Sequence, residues 1–84
     1  MRITTDRGRT LEALFCEPSG STGNLVAGFA GLTEAALLEA FSGVRRVTVG
    51  TGGEEIVHEI AGIKWVDRMR DSGAALIALQ HRRD

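Results

Sequence analysis

Apolar residues fall in short runs cut by glycine-containing turns, which read as about six or seven strands, and Arg45 to Val49 alternates apolar with polar in the manner of a strand. The exception is Thr33 to Ser42, where EAALLEAF is a run of good helix formers without a β-branched residue. Thr33 is placed to cap that helix, Leu32 to pack back on Leu37, and Gly43 to supply a left-handed stop. A helix so short does not persist in water alone, so Leu37, Leu38 and Phe41 are expected to dock on the sheet.

Two Asp-x-Gly triplets set the strand registers. A three-residue loop at Asp6-Arg7-Gly8 places Thr5 against Arg9, Thr4 against Thr10, Ile3 against Leu11 and Arg2 against Glu12, so that like meets like and charge meets opposite charge. A three-residue loop at Asp71-Ser72-Gly73 pairs Arg70 with Ala74, Met69 with Ala75, Asp67 with Ile77, Trp65 with Leu79 and Ile63 with His81. In that register Ile63, Trp65, Met69, Ile77 and Leu79 form a core face. Lys64, Arg68, Arg70 and Gln80 share the other face with Val66, Leu76 and Ala78. A two-residue loop would instead set Trp65 against Gln80 and Arg68 against Ile77, a poorer match.

The strand that begins at Thr10 is expected to stop at Pro18, before the loop Ser19-Gly20-Ser21-Thr22-Gly23. Asn24 to Ala30 reads as a third strand, bent or at an edge because Gly28 interrupts it. Arg45 to Val49 follows the helix, and Gly50-Thr51-Gly52-Gly53 turns the chain into Ile56 to Ile60. A reversal at Ala61-Gly62 would place Glu59 opposite Lys64, His58 opposite Trp65 and Val57 opposite Val66, with Ile56 and Ile60 on the face of Trp65. The fold expected is α+β over residues 1–84 as one domain: an antiparallel sheet of about six or seven strands built from hairpins, with the helix at 33–42 packed on it.

At 84 residues there is no room for a separate substrate domain. The formal net charge of -1 argues against a polyelectrolyte partner held by bulk charge, so nucleic acid is disfavoured. The single Cys16 can form no internal disulfide, which points to a reducing compartment and to stability from packing. MRITTDRGRT lacks the apolar centre of a signal peptide, and no apolar run reaches membrane-spanning length. The expectation is a cytoplasmic protein without membrane contact, with association with a virion after assembly left open.

Candidate chemistry is sparse. Asp67 falls on the apolar face between Trp65 and Met69, where a carboxylate must be paired or hydrogen-bonded, or move outward at a bulge. A catalytic role for it is the lesser expectation. His58 and His81 are too few to complete a metal site, and they read as surface or rim residues. Cys16 has no basic neighbour to activate it and is expected to pack at the end of the second strand. Neither glycine-rich stretch carries the lysine of a phosphate-binding loop, so no cofactor is expected. Arg45, Arg46, Lys64, Arg68 and Arg82 could gather into one basic interaction patch, joined by the tail His81-Arg82-Arg83, but Glu54, Glu55, Glu59 and Asp84 share that half of the chain. A solvated charged face is the simpler reading of these residues.

The stretches ITTDRGRTLEALF, TEAALLEAFSG and IAGIKWVDRMRDSGAALIALQ resemble small uncharacterised prophage-encoded proteins of Gram-positive gut bacteria. The resemblance implies an accessory component of the virion or tail gene set and brings no catalytic residue with it. The function expected is a non-enzymatic structural or interaction module that presents a sheet face or edge to protein partners, a second copy of itself included. The alternative is a small nucleic-acid-binding or regulatory protein that uses the basic patch.

Overall fold

A computed structural model describes residues 1–19 and 23–82; the middle of the Ser19-to-Gly23 loop and the tail residues Arg83 and Asp84 lie outside them. Seven antiparallel strands, β1 (Arg2–Thr5), β2 (Thr10–Glu12), β3 (Phe15–Ser19), β4 (Asn24–Phe29), β5 (Arg46–Thr51), β6 (Glu54–Arg68) and β7 (Ala75–His81), form one sheet in the order β2-β1-β5-β6-β7-β4-β3. The helix α1 (Glu34–Phe41) joins β4 to β5 and packs on β6 and β7.

The order forces the sheet to curl. In a flat sheet the outermost of seven strands would stand about 29 Å apart, yet β2 and β3 are consecutive, and the three peptide steps from Glu12 to Phe15 reach about 11 Å at most. The edges accordingly meet at residues 13 and 14, where the Ala13 N–H donates to the Met1 carbonyl and the Leu14 N–H to the Gly28 carbonyl, each at 2.7 Å. The curl gives the sheet an inner face around a core that includes Ile3, Leu25, Phe29, Val47, Ile60 and Ile77, and an outer face toward solvent.

The first hairpin has the expected register, Arg2 with Glu12, Ile3 with Leu11 and Thr4 with Thr10, and Gly8 takes a left-handed φ of 85°. Its loop also ties the helix to the sheet. The Asp6 carboxylate accepts the Arg45 N–H, and the Arg7 guanidinium donates to the Ser42 carbonyl at the helix end, at 2.8 Å. The cap is as expected too, with the Thr33 hydroxyl accepting the Ala36 N–H at 3.0 Å. Replacing Thr33 by alanine should cost about 1 kcal/mol of folding stability, read from the midpoint of urea denaturation. Leu37, Ala40 and Phe41 face the core, whereas Leu38, expected to dock, is exposed because it lies a further 100° around the helix.

The second hairpin differs from expectation by one residue. Gly73 is left-handed, but the Met69 N–H bonds the Ala74 carbonyl, so the loop holds four residues, 70–73. Trp65 therefore pairs with Ala78, Val66 with Ile77 and Asp67 with Leu76. The shift turns Trp65, Asp67 and Met69 outward and Val66 inward. The energetics favour it, because burying a carboxylate costs more than leaving an indole partly in water. Asp67 is exposed and accepts the Arg68 N–H at 2.8 Å.

There is no reversal at Ala61-Gly62. Gly62 is outside the left-handed region, and β6 runs on through it, pairing with β5 over Glu54 to Glu59 and with β7 from Ile60 onward. Register shifts between Ile60 and Gly62 and between Ile63 and Trp65 bend the strand and restore Ile60 and Ile63 to the inner side. The single strand expected from Thr10 to Glu17 is two, because the chain crosses from one sheet edge to the other at Ala13 and Leu14, and Pro18 does not end β3, which has a partner on one side only and so has an edge that tolerates a missing N–H. Gly28 lies in an interior strand, not at an edge; its missing side chain makes room for the Phe15 ring, which a Cβ there would meet at 2.5 Å.

Candidate functional site

The outer face of β3, β4, β7 and β6 carries Trp65, Asp67 and Met69, which the expected register would have placed on the core face. Cross-strand pairing lines up Glu17, Val26, Ala78 and Trp65 in one row and Phe15, Gly28, Leu76 and Asp67 in the next. Trp65 is 41% exposed and Met69 40%, while Phe15, Val26 and Leu76 are half-buried. Ala78, in the middle of the first row, is fully covered. The result is a largely apolar surface that ends in an aromatic on each side, Phe15 on β3 and Trp65 on β6, with single carboxylates, Glu17 and Asp67, at the opposite ends of its two rows. Anchors of this type, ringed by polar groups, are the usual make-up of a protein-binding surface.

The other half of the outer face is polar. Thr10, Thr4, Thr48 and Val57 form one row, and Glu12, Arg2, Gly50 and Glu55 the next. All of these but Thr10 and Val57 line a groove of about 620 Å³, completed by Met1, Glu54 and the turn from Thr51 to Gly53. It contains three glutamates, one arginine and three threonine hydroxyls, those of Thr4, Thr48 and Thr51.

The residues singled out from sequence are dispersed. Arg46 pairs with Glu59 on the outer side at 3.1 Å. Arg68 projects from the opposite face of β6 to the helix, where its Nε donates to Glu34 at 3.1 Å and its terminal nitrogens to Glu34, Gly73 O and Leu32 O. Arg45, Lys64 and Arg82 are exposed, Arg45 before β5, Lys64 at the second bulge and Arg82 after β7. The five cations thus do not share one face. Cys16 is half-buried against the core, and burial together with the neighbouring Glu17 pushes its thiol up to about 11, so it is protonated and a poor nucleophile at neutral pH. His58 and His81, which the sequence suggests as surface or rim residues, are half-buried and hydrogen-bonded to one another.

Glu34 is the residue that sequence reasoning missed. Its hydrogen bond from Arg68, and then its own backbone N–H, hold its carboxyl below the ordinary glutamate range. A folded-state pKa below the unfolded value stabilises the fold above the unfolded pKa of about 4.3 and loses that contribution as pH falls through the folded pKa. The stability gap between the native chain and Glu34→Gln should therefore be present at neutral pH and close in acid, as read from urea midpoints across a pH series.

No helix among the described residues is long and apolar enough to cross a membrane. No protein-family model, curated protein or solved structure matches the chain.

Proposed function

We propose that the protein is a non-enzymatic interaction module that binds protein subunits through the outer face of β3, β4, β7 and β6, and that it serves as an accessory component of a phage or prophage virion or tail. The setting rests on the sequence resemblance. The mode of binding rests on one observation: the chain's only tryptophan stands 41% exposed on the outer face, at the β6 end of a row that includes Val26 and Ala78, and is not part of the buried core. Keeping a large indole on the solvent side is unfavourable for an isolated domain and becomes favourable once a partner covers it.

A photo-cross-linking residue in place of Met69 tests the reading. Cross-links to a partner subunit, or to a second copy, from position 69 but not from Thr10 on the polar half are the expected result. Equal yields from both positions, or none from position 69 in an assembling lysate, would overturn it.

A further inference from the structure

His58 on β6 and His81 on β7 are the chain's two histidines, and their rings stand 5.1 Å apart with Nδ1 of His58 3.0 Å from Nε2 of His81. Nδ1 of His81 lies 3.0 Å from the Gly23 carbonyl oxygen, which can only accept, so this nitrogen carries the proton and Nε2 offers its lone pair. His58 completes the chain of bonds by donating from Nδ1. Both rings are half-buried and stand on neighbouring strands, and the main chain holds the same corner through the His81 N–H to Gly23 O and Arg82 N–H to Glu59 O bonds.

We propose that His58 and His81 form a binding site for a divalent transition-metal ion of the zinc type, with Nδ1 of His58 and Nε2 of His81 as its protein ligands. The two nitrogens on one tetrahedral zinc stand about 3.3 Å apart at ordinary zinc–nitrogen lengths, so the pair has to open by only about 0.3 Å as the rings turn toward the ion. The Gly23 carbonyl plays the part usual behind a metal-bound imidazole, fixing the tautomer and orientation of His81. Binding moves the His58 proton from Nδ1 to Nε2 and leaves that on His81 Nδ1 in place, so both imidazoles stay neutral. Among the described residues no third His, Cys, Asp or Glu converges there, so water or an outside donor fills the remaining positions.

Titration of Zn²⁺ into the full chain, followed by imidazole NMR and thermal melting, decides the matter. The expected result is one ion per chain, shifted His58 and His81 resonances, and a melting temperature about 6–11 °C higher at tenfold excess over Kd. His58→Gln and His81→Gln should each weaken binding by at least about tenfold, while Cys16→Ser leaves it unchanged. Histidine resonances that do not move at millimolar Zn²⁺, or a stabilisation that survives both histidine variants, would overturn the proposal.

Discussion

Phe29→Ala is expected to lower folding stability by about 3–5 kcal/mol, the largest effect of any single substitution considered. Phe29 has no exposed surface, and its ring lies 6.1 Å from that of Phe41 with the planes tilted by 50°. This is the contact through which the last turn of α1 meets β4. Removing the ring opens a cavity between helix and sheet that Ala27 and Ala75, beside it on β4 and across from it on β7, are too small to fill. For a domain of this size each kcal/mol moves the melting temperature by roughly 4–8 °C, so a fall of well over 10 °C is expected. Urea denaturation measures it directly. A cost below about 1 kcal/mol would mean that the helix does not close the core.

Trp65→Ser should act on binding far more than on folding. Aromatic anchors at protein interfaces commonly contribute about 2 kcal/mol or more, equivalent to about a thirtyfold loss of affinity. Titration calorimetry with the subunit cross-linked from position 69 should show a loss of that order. Folding stability should fall by less than half as much as in Phe29→Ala, because 41% of Trp65 already lies in water. Equal damage to folding and no change in affinity would place Trp65 in the core and remove the basis of the proposed surface.

The first hairpin was legible pair by pair, because its loop length and its charge and apolar matches agree on one register. The helix was legible from Thr33 through Gly43 for the same reason, local preferences and capping chemistry pointing to one answer. The second hairpin was not. A left-handed glycine ends both three- and four-residue loops, so Gly73 locates the turn without counting its residues. Asp67 on an apolar face was the sign of the slip. The bulges left a trace as well, since Ile60, Ile63 and Val66 recur every third residue where an unbroken strand would place inward residues every second. The contact between His58 and His81 depends on that corrected register, and Glu34 meets Arg68 across 34 positions, a separation at which local patterning carries no signal.

The outward position of Trp65 and its coverage by a partner are the centre of this account, and the chain's single tryptophan makes both measurable by fluorescence. In dilute monomer the emission maximum should lie close to that of indole in water and be readily quenched by acrylamide; on adding the cross-linked partner, or on raising the concentration if the partner is a second copy, it should shift to the blue and become protected. Blue, protected emission from the dilute monomer, or emission unchanged by the bound partner, would contradict it.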